Sequence, residues 1–471
     1  MSCPAAKRCG GCSGMRKPYA QELQEKEERL RRLLSGLCPV EPIAGMADPY
    51  FYRCKVNTSF VYLKDRGLVS GPYEESTHRV VAVDRCLIES ETAGNIIADL
   101  RALFTSFKIR AYDERTGYGL VRHVLIRVGR NTGEVMVVLV MAAPTLPSRN
   151  AFLKALLAKH PEITTVVLNV NDRFTSMVLG PRSSTLYGRG YIVDELCGLR
   201  FRISPSSFYQ VNPVQAEKLY RKAIELCGLT GKETVIDAYC GTGTIGCIAA
   251  SKAGQVLGIE LNRDAVHDAI CNAKENGIGN IRFLQADATQ CLCEMAARRQ
   301  KADVVILDPP RSGSTEAFID AVARLAPARV VYVSCGPDTL ARDLRVFRVK
   351  GYRAERAWPV DMFPFTEHVE TVCLLSKLSE AKHSIDVKLD MDELDVTTAE
   401  TKATYEEIKA YVLNQTGLQV SSLYIAQVKR ECGIIERENY NKPKMEDAKQ
   451  PQCPDEKKKA IEEALKHFGM I

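Results

Sequence analysis

The amino-acid sequence predicts an α/β fold in which a mainly parallel sheet, flanked by helices, occupies residues 201–379. Two observations lead to this prediction. From about residue 212 onward, helical segments alternate with short apolar strand-like segments, which is typical of such a sheet. Within that region, a glycine-rich turn at residues 241–246 follows one strand, and an Asp-Pro-Pro turn at residues 308–310 follows another. Ligands of open α/β sheets bind at the carboxyl ends of the strands, so both turns mark a candidate site.

The composition is that of a globular protein with several domains. Of the 471 residues, 45% are hydrophobic and 26% are charged. Lysine and arginine number 64 against 58 acidic residues, a mild excess that permits a polyanionic partner without requiring one. No apolar run is long enough to span a bilayer, and the N-terminus lacks the apolar stretch of a secretory signal. We therefore expect a cytoplasmic protein with no membrane partner and no obligate protein partner.

Residues 1–90 form the first predicted segment. A predicted amphipathic helix at residues 17–37 has one heavily charged face, and short strands follow it at residues 56–61 and 79–83. The chain holds 17 cysteines, and a reducing compartment argues against a disulfide framework. Metal binding and catalysis are then the alternatives to plain burial. The cysteines of this segment that we single out are Cys3, Cys9, Cys12 and Cys86.

Residues 91–200 read as a small central α+β domain. A helix is predicted at about residues 90–105, a hairpin at 119–141, a helix at 149–159 and a strand at 163–170.

In the α/β region, predicted helices and strands follow one another in nearly strict alternation. The predicted helices are 213–227, 244–253, 263–276 and 315–325, and the predicted strands are 234–237, 255–259, 281–284, 303–307, 329–333 and 371–375. Residues 380–471 form a polar C-terminal extension, a linker to about residue 402 and then helices at 404–414, 421–431 and 455–468.

The glycine-rich turn between Asp237 and Gly246 has the properties of a nucleoside-binding loop. Glycines let the backbone approach a ligand closely, and Glu260, which ends the next strand, can accept hydrogen bonds from ribose hydroxyls. The spacing also fits a dinucleotide phosphate loop formally, and a plain tight turn would look similar.

Two later residues suggest covalent chemistry at the same sheet edge. Cys335 ends a strand and is followed by a Gly-Pro turn, although a thiol of ordinary pKa, near 8.5, needs local activation. Glu370 opens the final apolar strand, and the nearby Phe363 and Phe365 supply apolar surface that would raise a carboxyl pKa toward that of a useful base. A buried small residue and a solvated loop are the plainer interpretations of these two positions.

Four runs in the chain resemble known methyltransferases. Asp308-Pro309-Pro310-Arg311 resembles the fourth motif of S-adenosylmethionine-dependent enzymes. Over residues 3–378 the chain resembles the RNA uracil-5-methyltransferases, most closely the iron–sulfur members that methylate 23S ribosomal RNA. The other matching runs are Phe51-Tyr52-Arg53-Cys54-Lys55, Ser206-Ser207-Phe208-Tyr209-Gln210-Val211-Asn212 and Arg342-Asp343-Leu344. The resemblance implies a Rossmann-like S-adenosylmethionine-dependent methyltransferase domain at residues 201–379 and an RNA-binding central domain at residues 91–200.

The resemblance also assigns roles to individual residues. It implies that Cys335 is the nucleophile and Glu370 the proton acceptor. Such a pair suits methylation at C5 of uracil, because thiolate attack at C6 activates C5 and a base must then remove the C5 proton. The implied S-adenosylmethionine contacts are Gln210, Tyr239, Thr244, Glu260, Asp287 and Asp308.

The four N-terminal cysteines are similar to the family's [4Fe–4S] set. From the residues alone, all-thiolate ligation fits either a cluster or zinc, and the resemblance favours the cluster in the segment 1–90. The chain departs from the family in three ways. It shows no N-terminal β-barrel RNA-binding domain, it has Gly336 where an asparagine usually follows the nucleophile, and residues 380–471 lie outside the family core.

The leading expectation is therefore an enzyme that methylates C5 of a uridine in 23S rRNA. A tRNA uracil-5-methyltransferase is the nearest alternative, although that branch usually lacks the cluster cysteines. A non-catalytic RNA-binding protein with the same fold is the alternative from another class, and the presence of both Cys335 and Glu370 argues against it.

Overall fold

The computed structural model describes residues 3–378, 405–432 and 453–468, apart from positions 4, 7, 13, 14, 16, 75, 76, 78, 174 and 176. It divides into two compact units, Met1–Glu380 and Ala381–Ile471. In its described residues, no helix is both long and apolar enough to cross a membrane.

The first unit begins with helix α1 and continues into a six-stranded sheet. Helix α1 spans Tyr19–Leu33. The strands are β1 Lys55–Leu63, β2 Gly67–Gly71, β3 Val121–Val128, β4 Val135–Met141, β5 Ile163–Val170 and β6 Arg182–Tyr187, in the order β2-β1-β3-β4-β5-β6. Helices α2 (Glu91–Ser106) and α3 (Arg149–Lys159) bury their apolar residues in the core of this sheet. This sheet joins β1 and β2, which precede position 90, to β3–β6, which follow it.

A short hairpin and a capped helix lead into the second sheet. Strands β7 (Ile192–Leu196) and β8 (Leu199–Ile203) pair antiparallel. Helix α4 spans Pro213–Cys227. The Asn212 side chain caps it by accepting from the Gln215 amide, and proline at its first position needs no hydrogen bond there.

The second sheet has seven strands in the order β11-β10-β9-β12-β13-β15-β14. These strands are β9 Thr234–Ala238, β10 Gln255–Glu260, β11 Ile281–Gln285, β12 Val304–Leu307, β13 Arg329–Ser334, β14 Tyr352–Val360 and β15 Glu370–Lys377. The intervening helices are α5 Thr244–Ala250, α6 Arg263–Glu275, α7 Ala288–Ala297, α8 Glu316–Leu325 and α9 Pro337–Val349. Strands β9 to β13 pair in parallel, and β15 pairs antiparallel with both β13 and β14.

Alternate residues of the central strands face two separate cores. Val235 and Val304 belong to the core on one face of the sheet, whereas Ile236 and Val305 belong to the core on the other. A strand that is apolar at every position is typical of a parallel sheet with helices on both faces, as the sequence predicted.

Three helices make up the described part of the second unit. They are α10 Tyr405–Thr416, α11 Ser422–Glu431 and α12 Asp455–His467, close to the predicted positions. Ile408, Val412, Ile425 and Ile461 are among the residues of their shared apolar core. The predicted linker at residues 380–402 lies outside the described residues.

Candidate active site

The predicted nucleophile and the predicted base lie on neighbouring strands at one edge of the seven-stranded sheet. Cys335 follows the last residue of the parallel strand β13, and Glu370 is the first residue of the antiparallel strand β15. Ser334 pairs with Thr371 in the ladder between these strands. Because β15 runs in the opposite direction, its beginning meets the end of β13. The antiparallel ladder thus brings together two residues that are far apart in sequence.

Burial shifts the protonation of both groups. Glu370 is buried, and its desolvation raises its pKa to about 8, with the charge of Asp308 adding to the rise. Desolvation also raises the pKa of the Cys335 thiol to about 11, with Glu370 and Asp308 contributing. The Arg311 guanidinium lowers both pKa values. In the free protein at neutral pH, the thiol and the Glu370 carboxyl therefore both carry their protons.

Tyr220 is a polar residue of this site that the sequence did not single out. It lies buried on α4, and the Gln210 side chain and the carboxyl groups of Asp308 and Glu370 act on its hydroxyl electrostatically. Desolvation alone raises the pKa of Asp308 to about 7. A tyrosine on an amphipathic helix reads as an ordinary core residue, so only its position in the fold reveals its neighbours.

The glycine-rich turn forms an open cradle beside Glu260. One Glu260 carboxylate oxygen accepts the Gly241 amide at 3.0 Å, and the other accepts the Asn262 amide at 2.8 Å. Gly241 has a φ of +55°, and nothing lies within 4 Å of the place where a Cβ would stand. The space next to the turn and the remaining lone pairs of Glu260 fit a ribose.

Three of the other predicted cofactor contacts, Tyr239, Thr244 and Asp287, also have local partners. Tyr239 has a φ of +65°, and its ring centroid lies 5.3 Å from that of Phe318. Thr244 is the first residue of α5, and its hydroxyl lies 3.3 Å from that of Thr242. Asp287 caps α7 by accepting the Gln290 amide at 2.9 Å, which leaves its second oxygen for another donor.

The run Arg342-Asp343-Leu344 forms hydrogen bonds with the loop that follows Asp308. Asp343 is buried and accepts the Ser314 amide and the Tyr332 hydroxyl, both at 2.7 Å. Arg342 donates to the Ser312 carbonyl at 2.9 Å. These bonds fix the Asp-Pro-Pro loop against β13 and α9, which explains why this run belongs with the motif.

Gly336, the departure from the family pattern, is the N-cap residue of α9. Its φ of −131° suits any residue, so its backbone does not demand glycine. A Cβ there would lie 2.7 Å from the Thr339 hydroxyl oxygen, which donates to the Gly336 carbonyl at 2.9 Å. A larger residue therefore requires Thr339 to move.

A buried ionic network, which we call the anchor, joins helix α1 to the chain that precedes Glu370. It consists of Glu22, Lys26 and Asp361, with Tyr19 as a hydrogen-bonding neighbour. The Lys26 ammonium lies 2.6 Å from a carboxylate oxygen of both acids. The Tyr19 hydroxyl donates to Asp361 at 2.6 Å, and Glu22 accepts the backbone amide of Phe365 at 2.8 Å.

The four predicted cluster cysteines are neighbours, but they do not form a ready ligand set. Cys9 and Cys12 each interact electrostatically with Cys3, and Cys86 with Cys9. Desolvation raises the pKa of Cys12 to about 11 and that of Cys86 to about 12. Among the residues that the structure describes, no group of three or more His, Cys, Asp or Glu residues is arranged to hold a metal ion. The donor chemistry of four thiols fits all-thiolate ligation.

The sheet order, the glycine cradle and the acid at the end of β10 define an α/β S-adenosylmethionine-dependent methyltransferase. Comparison with known proteins narrows this class. The profile of the tRNA (uracil-5-)-methyltransferase family matches residues 192–378. An uncharacterized RNA methyltransferase of Halalkalibacterium halodurans is 40% identical over 378 residues, covering 79% of this chain and 82% of the relative. Another, of Caldanaerobacter subterraneus, is 42% identical over 381 residues, covering 80% of this chain and 84% of the relative.

A solved structure agrees with these sequence relatives. The tRNA (uracil-54, C5)-methyltransferase of Pyrococcus abyssi, in complex with S-adenosyl-L-homocysteine, has a TM-score of 0.66 and 28% identity over 78% of this chain and 86% of that one. The chain belongs to the RNA uracil-5-methyltransferase family. Its methyl donor is S-adenosylmethionine, and its substrate is RNA.

Proposed function

We propose that this protein methylates C5 of a uridine in 23S rRNA, with Cys335 as the nucleophile and Glu370 as the proton acceptor. The observation that carries the proposal is the pairing of β13 with β15, which puts a thiol and a buried carboxyl side by side at the cofactor edge of the sheet. A methyltransferase whose acceptor atom is already nucleophilic needs neither group.

In the proposed reaction, the Cys335 thiolate adds to C6 of the uracil and forms a C–S bond. The electron pair of the C5–C6 double bond moves into an enolate, and C5 then takes the methyl group. Glu370 removes the C5 proton, the double bond re-forms, and the C–S bond breaks to release the thiolate. When bound, S-adenosylmethionine supplies the methyl group from its sulfonium centre.

Because Cys335 and Glu370 are protonated in the free protein, both must lose a proton before the proposed reaction can proceed. Cys335 must lose its proton before attack, and Glu370 must be ionised before it can accept one from C5. Arg311 lowers the pKa of both groups, so its charge favours the reactive form of each. Exclusion of water by the RNA makes such charge interactions stronger.

We propose the predicted residues as the cofactor contacts. Glu260 would accept from the ribose, and Asp287 would accept from the adenine amine through the oxygen that does not cap α7. The remaining proposed contacts are Gln210, Tyr239, Thr244 and Asp308. The open space at Gly241 supports this arrangement.

We also propose that Cys3, Cys9, Cys12 and Cys86 ligate a [4Fe–4S] cluster. Their mutual proximity and the absence of disulfides among them support an all-thiolate site. The cluster takes no part in the methyl transfer proposed here. Protein purified without oxygen should contain iron and sulfide and absorb near 400 nm, and stoichiometric zinc without iron would refute the proposal.

The rRNA substrate is supported by the resemblance of these cysteines to those of the iron–sulfur branch. A tRNA substrate is the second candidate, because the matching profile and the similar Pyrococcus abyssi structure are those of tRNA enzymes. Either substrate would be met in the cytoplasm, where we expect the protein to act.

One experiment separates the two substrates. The purified holoprotein is incubated with S-adenosylmethionine and either a 23S rRNA or a tRNA transcript, and 5-methyluridine is mapped by mass spectrometry. We expect 5-methyluridine at a defined site in the rRNA only. Methylation of the tRNA alone would replace the first candidate by the second, and methylation of neither RNA would contradict the proposed activity.

A further inference from the structure

The run Phe51-Tyr52-Arg53-Cys54-Lys55 presents alternate residues to opposite sides. Tyr52 and Cys54 are buried, whereas Arg53 and Lys55 are half-buried and share the other side. In the ladder between β1 and β3, Lys55 stands directly opposite Arg127. Side chains that pair across a ladder lie on the same face of the sheet. Three cations, Arg53, Lys55 and Arg127, are therefore collected at the start of β1.

Lys55 has no acidic partner in the part of the chain that the structure describes, and no hydrogen bond of its ammonium is found there. Arg127, by contrast, is buried and donates to the carbonyl oxygens of Pro205 and Ser207. Arg53 adjoins Glu89, so one of the three cations has a nearby counter-charge. Desolvation, together with the charges of Arg127 and Arg53, lowers the pKa of Lys55 to about 8.

A half-buried ammonium next to two guanidinium groups is unfavourable unless an anion offsets the repulsion. The fold nevertheless holds Lys55 and Arg127 opposite each other on paired strands, with Arg53 just before the first of them. Such an arrangement is what an anion-binding site requires before its ligand arrives. RNA supplies one phosphate for every nucleotide, and phosphate contacts fix the register of a nucleic acid on a protein without reading its sequence.

The backbone connects this cation group to the active-site loop. The Cys54 amide donates to the Val211 carbonyl at 2.7 Å, and the Cys54 carbonyl accepts the Val128 amide at 2.9 Å. Val211 follows Gln210, whose side chain interacts with Tyr220 near Asp308 and Glu370. A phosphate held at Lys55 would therefore be held at a fixed place relative to the loop that carries Gln210.

We infer that Lys55, assisted by Arg53, is a phosphate-binding subsite for the RNA substrate, and that it positions the RNA backbone next to the target uridine. Arg127 has a different role: its hydrogen bonds to the Pro205 and Ser207 carbonyl oxygens fix the 204–210 loop. The inference rests on RNA being the substrate, and it holds for either RNA class considered above.

The test measures RNA binding separately from methylation. Fluorescence anisotropy of a labelled, short uridine-rich RNA is recorded as a function of salt for the wild type, Lys55→Ala and Lys55→Arg, with Lys301→Ala as the control. Lys301 is an exposed lysine that precedes β12, at the sheet edge opposite Cys335, and its replacement removes the same charge.

We expect Lys55→Ala to weaken binding roughly tenfold at moderate salt and to reduce the slope of log K against log salt by about one. Lys55→Arg should restore most of the affinity, and Lys301→Ala should resemble the wild type. With a methylphosphonate RNA, which lacks the backbone charge, the wild type and Lys55→Ala should bind equally.

A structural role for Lys55 gives a different pattern. Lys55→Met should unfold at the same or a higher temperature than the wild type, because it removes an unpaired cation. A fall in its unfolding temperature, or an unchanged salt slope for Lys55→Ala, would overturn the inference. Both outcomes are read from binding and unfolding, so a failure to find 5-methyluridine would leave this test intact.

Discussion

The anchor and the catalytic edge each contain two buried carboxyl groups, but within the described part of the chain only the anchor has a cation at hydrogen-bond distance from them. In the anchor, Glu22 and Asp361 enclose the ammonium of Lys26 at 2.6 Å from each. At the catalytic edge, Glu370 and Asp308 adjoin each other, and the pKa values of both rise through desolvation. Only nine positions, from Asp361 to Glu370, separate the two environments.

The presence or absence of a neighbouring cation separates a structural role of a buried carboxyl group from a role in proton transfer. A buried acid with a cation at hydrogen-bond distance fixes structure, and removal of its partner is costly. A buried acid without such a partner has a pKa near neutrality and can exchange a proton during a reaction. We therefore expect substitutions in the anchor to affect stability and substitutions at the catalytic edge to affect turnover.

The largest effect is expected from Cys335→Ala, which removes the nucleophile from the catalytic edge. Methyl transfer should fall by at least a factor on the order of a thousand, while S-adenosylmethionine still binds. Transfer of labelled methyl groups to RNA and calorimetric titration with S-adenosylmethionine measure the two quantities. Cys271→Ala, at a half-buried cysteine of α6, is the matched control. Methylation by the Cys335 variant at the wild-type rate would rule out the covalent mechanism.

Glu370→Gln should lower turnover by a factor of roughly 10² to 10⁴, because the C5 proton then lacks its acceptor. Attack by Cys335 does not depend on that step, so a covalent protein–RNA adduct should accumulate and survive denaturing electrophoresis. Wild-type turnover should rise with pH up to about 8, where Glu370 becomes ionised. An adduct-free variant with near-normal turnover would exclude Glu370 as the base.

The same variant tests the sign of the pH effect on stability. The pKa of Glu370 is higher in the folded protein than in the unfolded chain, so the folded state binds the proton more tightly. This stabilisation is complete below the unfolded pKa and is lost as the pH rises through about 8. The free energy of unfolding of Glu370→Gln, measured with urea, should therefore equal that of the wild type at about pH 4. At about pH 9 it should be higher than that of the wild type by on the order of 1–4 kcal/mol.

Lys26→Met should lower stability, because it leaves the two buried acids of the anchor without a cation. We expect a loss of about 3–5 kcal/mol in the free energy of unfolding at neutral pH, measured with urea. Lys17→Met, which breaks an exposed pair with Glu25 beside the same helix, should change stability little. Adding Glu22→Gln to Lys26→Met should recover part of the loss. Equal stabilities of Lys26→Met and Lys17→Met would show that the anchor is not a stabilising unit.

The smallest effect is expected from Gly336→Asn, which restores the usual family residue next to Cys335. Its Cβ would displace the Thr339 hydroxyl from the Gly336 carbonyl, at a cost of about 1 kcal/mol in stability. Thermal unfolding and steady-state kinetics of Gly336→Asn and of Gly336→Asn with Thr339→Ala would separate this clash from an effect on Cys335. A single variant as stable as the wild type would mean that Thr339 moves without cost.

The sequence predicted the parallel part of the second sheet because its strands are apolar at nearly every position. Strand β14 was not predicted, since it lies at the sheet edge and carries alternating charges and Pro359, which edge strands tolerate. Helix α7 was also missed, because its short cysteine-containing run has little periodicity.

Residues of the candidate site could be predicted where they lie at the ends of strands. Residues whose burial depends on partners distant in sequence could not. Cys335 and Glu370 could be assigned from local pattern and resemblance. Glu22 and Lys26, in contrast, fall on what the sequence presents as the charged, solvated face of α1, yet both are buried. Their burial depends on Asp361, which lies 335 positions from Lys26. Local periodicity cannot reveal a partner at that distance.

The ladder between β13 and β15 has a further consequence for access to the site. The residues next to Cys335 and Glu370, Ser334 and Thr371, are held opposite each other by the β13–β15 ladder rather than by the surrounding loops. We therefore expect substitutions in the surrounding loops to change RNA binding more than they change the separation of the thiol and the carboxyl.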